Sequence, residues 1–157
     1  MDDAPPRPGP TIFEEFFRDC WPDAFRLACF LTSDRSAAEE IAQDAFARMY
    51  ADWGRPEAPA AYLRTTIVNR CANWRRHAKV HRAKLPLLAT PTTSEAVFDD
   101  LADAVAALPF RQRAVVVLRY HVGLSEAEIA DTLGCRPGTV KSLAFRALAR
   151  LEREITR

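Results

Sequence analysis

Little in this sequence points to catalysis. It contains no Gly-rich phosphate loop and no nucleophile elbow, with only five glycines in 157 residues. The three histidines and four cysteines are too scattered for a metal centre. His77 and His81 lie four apart, but no Glu or Cys stands beside them in a ligand pattern. Cys20, Cys29, Cys71 and Cys135 form no C-x-x-C pair, and the first three fall at apolar positions of expected helices, which reads as buried free thiols. An enzyme is therefore the weakest functional class, and neither a cofactor nor a metal is expected. Period-two alternation is missing throughout, which leaves an all-α chain. No stretch approaches membrane-spanning length. The opening MDDAPPRPGP has acids and prolines where a signal peptide needs cations and a long apolar core. Residues 1–10 are thus expected to be a flexible N-terminus, on a cytoplasmic protein with no membrane partner.

What is present is enough to fold. With 48% hydrophobic residues, the chain can bury one real core or two small ones of about 60 to 80 residues each. Its net charge of +1 says little, but the distribution says more. Acids outnumber bases between Thr11 and Ala60, whereas Tyr62 to Lys84 holds bases and no acid. One protein presents an acidic face and a basic face.

The stretch from Leu124 to Leu151 organises the rest, because it reads as two short helices around a tight turn, a helix-turn-helix. Ser125 and Glu128 stand in capping-box order, with Leu124 and Ile129 placed as a hydrophobic staple. Gly134 stops the first helix after Ile129, Ala130 and Leu133, and Pro137 suits the first position of the second. On the second helix Val140, Ala144, Ala147, Leu148 and Leu151 fall on one side, the expected core side. Opposite them lie Ser142, Phe145, Arg146, Ala149 and Arg153, flanked by Lys141 and Arg150. Such a face suits a DNA major groove, with cations for phosphates or guanine edges and an aromatic edge for a thymine methyl. A hairpin with a merely solvated basic face is the alternative.

Earlier in the chain, Thr11 and Glu14 form a second capping-box pair, opening a helix whose Ile12, Phe13, Phe16, Phe17 and Cys20 are expected to point inward. Pro22 is expected to interrupt or kink it, before spacing resumes through Phe25, Leu27, Ala28 and Leu31. A second helix, capped by Asp34 or Ser36, carries Ile41, Ala45, Phe46, Met49 and Trp53 at core spacing. Its other face is acidic and amide-rich, with Glu39, Glu40, Gln43 and Asp44, for which solvation is the default reading. After a Gly54 to Pro59 loop, a third helix runs from about Ala60 through Tyr62, Leu63, Ile67, Cys71 and Trp74. Cations interleaved with Tyr62 and Trp74, beside Asn69 and Asn73, are what single-stranded nucleic acid asks for; Trp74 as core is the competing reading. LPLLATPTTS then reads as a linker. Val97, Leu101, Val105 and Leu108 mark a further helix, which Pro109 breaks, and Val115, Leu118 and Val122 another beneath the helix-turn-helix. The expected fold is two small helical domains joined by a linker: 11–82, the linker 83–94, and 95–157 as a four-helix bundle.

These motifs resemble the extracytoplasmic-function sigma factors of bacterial RNA polymerase, and most of all an actinobacterial subgroup with a Trp-Pro in its first helix. The likeness covers nearly everything from Ile12 to Arg153. AAEEIAQDAFARMY is similar to the family's polymerase-binding helix, AYLRTTIVNRCANWRR to its promoter-melting helix, and LPFRQRAVVVLRYHVGLSEAEIADTLGCRPGTVKS to its second DNA-binding domain. The resemblance implies that Glu40, Gln43 and Asp44 dock on the clamp of the polymerase's largest subunit. It implies that Tyr62, Asn69, Asn73, Arg75, Arg76 and Lys79 serve the minus-10 element, with Asn69 holding a flipped base whose unstacking costs a few kcal/mol. For the minus-35 element it implies Arg119, Thr139, Lys141, Ser142, Phe145 and Arg146, with a flap helix of the second-largest subunit on the concave side. Members are commonly held by an anti-sigma protein, and the resemblance admits such a partner here. Leu143 departs from the polar or basic residue usual after the Lys-Ser pair, the Gly54 to Pro59 loop is short, leaving Trp53 or Tyr62 as its aromatic, and Arg136 is a poor helix cap.

The competing class is a self-sufficient regulator that uses 11–84 as a sensing or dimerising domain. It has no use for the all-basic segment, and no dimer helix or ligand pocket is evident in the sequence.

Overall fold

Local capping chemistry fixes several element boundaries in the computed structural model, which describes residues 10–82 and 96–156. Seven α-helices and one π-helical segment make up the described fold. Helix α1 runs Pro10–Thr32, α2 Arg35–Ala51, α3 Pro59–Arg82, α4 Ala96–Ala106, α5 Phe110–Val116, the π segment Val117–Val122, α6 Glu126–Leu133 and α7 Pro137–Ile155. No strand occurs among the described residues.

The turn from α1 to α2 shows how little sequence a sharp corner needs. Thr32 Oγ1 bonds back to the Ala28 carbonyl at 2.7 Å and also accepts the Asp34 N–H at 3.2 Å. Ser33 takes a left-handed conformation with φ 56°. Asp34 then caps α2, its carboxylate accepting the Ala37 N–H at 2.9 Å. Aspartate, not Ser36, is the cap. Pro59 opens α3, and at the far side of the chain Gly123, with φ 83°, ends the π segment as the Leu124 N–H reaches the Leu118 carbonyl at 3.0 Å.

The helices form two groups, α1 to α3 and α4 to α7, whose cores run together. Leu27, Ala28 and Leu31 of α1, Ile41, Phe46 and Met49 of α2, and Leu63, Ile67 and Cys71 of α3 belong to one buried cluster with Val115, Leu118, Ile129, Val140 and Ala144 of the second group. A smaller cluster of Ala104, Leu108, Val116, Ala147 and Leu151 closes α4 onto α7. Both groups therefore share one main core, the first of the two arrangements that composition allows.

Arg113 of α5 is the polar residue at that junction, and it is fully buried. Its Nη1 donates to the Leu31 carbonyl at 3.2 Å and to Ser33 Oγ at 3.4 Å, both on the first group. Its Nη2 donates to the Ala106 carbonyl and to the Leu108 carbonyl at 3.4 Å. Burial, and secondarily the charge of Arg75, push the guanidinium's pKa down to about 10, so it stays protonated near neutrality. A buried cation ties the end of α1 to the start of α5.

Several expectations need correcting. Pro22 neither interrupts α1 nor ends it; the helix is continuous through it. The lost N–H bond is tolerated because flanking turns bury Ala24, Leu27 and Leu31 against α2 and α3. Helix α1 starts at Pro10, with Thr11 inside its first turn, and the side chain of Thr11 on which the expected capping box depends lies outside the described residues. Ile12 and Phe17 are exposed, while Phe13, Phe16 and Cys20 pack on the core. Leu101 and Leu148, expected in the core, are 47% and 43% exposed, and Leu143 takes the buried place beside Val140. Helix α7 is simply rotated so that 140, 143, 144, 147 and 151 line its inner side. Cys71 is buried and Cys20 and Cys29 half-buried, all three free. The positions of the expected linker 83–94, of residues 1–9 and of the side chains of Lys79, His81 and Val97 lie outside the described residues.

Candidate nucleic-acid interface

Helix α7 owes its position to α6. Ser125 caps α6 through a complete capping box: its hydroxyl accepts the Glu128 N–H at 3.2 Å, and the Glu128 carboxylate accepts the Ser125 N–H at 2.8 Å. Gly134, at φ 62°, ends α6 in the left-handed conformation, and Pro137 starts α7. Arg136 precedes it without a side-chain cap bond. Because Val140, Leu143, Ala144 and Ala147 are buried, the opposite side faces solvent. There Lys141, Ser142, Phe145 and Arg146 line a shallow surface depression, with Phe145 77% exposed. A phenyl ring so exposed, between two cations, gains nothing from the core. The Ser142 hydroxyl returns to the Gly138 carbonyl at 3.1 Å, and Arg146 Nε to the Ser142 carbonyl at 3.2 Å, which steadies both on the helix. Thr139 is half-buried at the start of this helix, and Arg119 is exposed on the π segment with its guanidinium 5.8 Å from the Tyr120 ring.

The second basic surface is α3. Leu63, Ile67, Val68 and Cys71 face the core, and Trp74 packs half-buried against it, which favours Trp74 as a wall of the core. Asn69, Asn73 and Arg76 are exposed, and Arg76 donates to the Asn73 amide oxygen. Tyr62 stands apart: its hydroxyl donates to Asp52 at 2.9 Å, at the far end of the helix. Trp53 is packed among Phe13 and Phe16 and is not presented outward. Asn69, Arg75 and Arg76 converge instead on a cavity of about 750 Å³ between the helical groups, across from Arg111 of α5 and Arg150 of α7. Sequence reasoning did not foresee this facing pair, nor Arg113 behind it. The only sequence signal for Arg113 is a cation ahead of the apolar run AVVVL.

On α2, Glu39, Glu40, Gln43 and Asp44 are all exposed on one side, away from Ile41, Ala45 and Met49. Asp44 bonds Arg70 of α3 at 3.4 Å, so one end of the acidic strip is tied to the basic helix. Among the described residues, no group of His, Cys, Asp and Glu is arranged to hold a metal and no helix is long and apolar enough to cross a membrane.

Residues 16–80 match the family model described as sigma-70 region 2, and residues 98–151 that described as sigma-70 region 4. The chain is 36% identical over 151 residues to the RNA polymerase sigma-E factor of Streptomyces coelicolor, covering 91% of this chain and 85% of that one. It is 35% identical over 157 residues to the ECF RNA polymerase sigma factor SigL of Mycobacterium tuberculosis, covering 88% and 85%. In fold it resembles the sigma factor RpoE of Bartonella quintana, solved with the anti-sigma factor NepR, with a TM-score of 0.77, 23% identity, and 93% and 98% of the two chains covered.

Proposed function

The chain belongs to the extracytoplasmic-function sigma factors of RNA polymerase, and from that premise we propose that it binds core polymerase and directs promoter-specific initiation. Residues 11–82 act as the polymerase-binding and minus-10 domain, 95–157 as the minus-35 domain, and 83–94 as the linker that lets polymerase set their separation. Glu40, Gln43 and Asp44 dock on the clamp of the largest subunit, and the concave side of the second domain takes the flap of the second-largest. Asn69 offers both a donor and an acceptor to the edge of an extruded base. Tyr62, Asn73, Arg75, Arg76 and Lys79 support the strand. Thr139, Lys141, Ser142, Phe145 and Arg146 read the upstream duplex, and Arg119 contacts a phosphate. Catalysis belongs to the polymerase. An anti-sigma protein covering these surfaces fits the resting state.

The observation that carries this reading is the pair of basic surfaces on separate helical groups, one with an exposed amide and one with an exposed aromatic ring. Neither patch alone neutralises enough phosphates for strong binding, so useful affinity needs a scaffold that holds both. Run-off transcription tests it. Specific initiation should require both this chain and core polymerase, and should fall with Asn69→Ala. Tight sequence-specific duplex binding by the chain alone, with no transcript when polymerase is added, would turn the reading toward a self-sufficient regulator.

A further inference from the structure

The cavity between the helical groups has a property that neither group has alone. Asn69, Arg75 and Arg76 form its α3 side, Arg111 and Arg150 its far side, and among the described residues no carboxylate lines it. The three ion pairs found among the described residues are Arg26–Asp23, Arg55–Asp52 and Arg70–Asp44, so Arg76, Arg111 and Arg150 have no carboxylate partner there. Bringing the groups together therefore gathers like charges around one space, and the repulsion reaches into the interface: the charge of Arg75 contributes to the lowered pKa of buried Arg113. A volume of about 750 Å³ lined by four arginines matches the size of a nucleotide and offers donors of the fork type that phosphate oxygens prefer. Phe110, half-buried in the same wall, adds a ring beside the cations.

We infer that this inter-domain cavity is a binding site for a polyphosphate anion of nucleotide size, which holds the polymerase-free chain in its closed packing. The anion bridges α3 of the first group to α5 and α7 of the second, and turns the mutual repulsion of the arginines into shared attraction. It also occupies the space in front of Asn69, so the loaded chain is a poor receptor for single-stranded DNA. The inference goes beyond the promoter reading and needs neither polymerase nor promoter for its test.

The test titrates the full-length chain with ATP and, separately, with inorganic tripolyphosphate, by calorimetry and by thermal unfolding. One-to-one binding is expected, weakening as salt rises, with an upward shift of the unfolding midpoint. The two ligands separate a nucleotide source from an inorganic one, and saturable binding of either supports the site. Arg111→Gln with Arg150→Gln, both exposed positions whose change leaves the core intact, should weaken binding about tenfold or more. The pair Lys141→Gln and Arg146→Gln, on the outer side of α7, should leave it unchanged. Equal losses in both pairs would reduce the effect to general charge attraction and overturn the site. So would binding confined to a single-stranded oligonucleotide, with neither polyphosphate taken up.

Discussion

Arg113 concentrates more consequence than any other side chain, because a buried charge needs every bond it makes. Its two terminal nitrogens serve Leu31, Ser33, Ala106 and Leu108. Arg113→Met keeps the stem's volume but leaves the three carbonyls and the Ser33 hydroxyl without their donor, while relieving the cost of burying the charge. The balance should destabilise the chain by roughly 1–3 kcal/mol in urea unfolding; an unshifted midpoint would show that the bonds only repay the burial. Cys71 gives a second test at this scale. Burial, with Cys29 nearby, pushes its thiol up to about 12, so the thiolate that alkylating agents attack is nearly absent at ordinary pH. Iodoacetamide at pH 8 should leave Cys71 unmodified in the native chain and label it in urea. Modification of the folded chain at Cys71 would mean that its site opens readily. Side chains that act locally were legible: Ser125 caps where the sequence places a cap, and Asp34 is one of the two candidates it offers for α2, because a cap needs only three residues of context. Arg113 was not, since its partners on the first group lie some eighty residues away.

The elements follow the same division between local and distant causes. Helix α6 was readable end to end, from its capping box to Gly134, because every determinant lies within its own sequence. Ser125→Ala should cost about 1 kcal/mol of stability by removing the hydroxyl that accepts the Glu128 N–H. The reciprocal bond carries a pH signature. Hydrogen bonding from Ser125 holds the exposed Glu128 carboxyl below its ordinary range, so its contribution is present above that range and is lost as pH falls through the lowered value. The stability difference between the native chain and Glu128→Gln should therefore shrink on acidification from pH 7 to pH 3, and a gap independent of pH would remove the carboxylate from the cap. Pro22 and Leu148 mislead for the opposite reason. Whether a proline breaks a helix, or a leucine is covered, depends on what packs alongside, and the rotation of α7 that buries Leu143 is set by α4, α5 and α6. The π segment has no such readable cue; the widened turn at Val117–Val122 lies where the segment itself packs on α1 and α6.

At the scale of the whole molecule, the two basic surfaces are unequally available. The outer side of α7 is open to solvent, whereas Asn69, Arg75 and Arg76 share a cavity with the opposite helical group. The sequence made both surfaces legible through motif and charge, but closure depends on contacts between distant segments, which no local pattern encodes. The asymmetry predicts different behaviour toward two DNA ligands in the absence of polymerase. Duplex carrying the upstream element should bind weakly, with strong salt dependence, through Lys141, Phe145 and Arg146. Under the proposed role of Asn69, a single strand carrying the melted element meets exposed side chains whose cavity side is shared with the second helical group, so full engagement needs the groups to part and its apparent affinity is reduced by the fraction of chain that is open. Weakening closure by about 1.4 kcal/mol raises that fraction about tenfold while it is small. Arg113→Met, which loosens the junction without touching either surface, should accordingly strengthen single-strand binding several-fold and leave duplex binding unchanged. Fluorescence anisotropy with both ligands distinguishes the outcomes: if neither affinity moves, or if both move together, the junction at Arg113 does not govern access to Asn69.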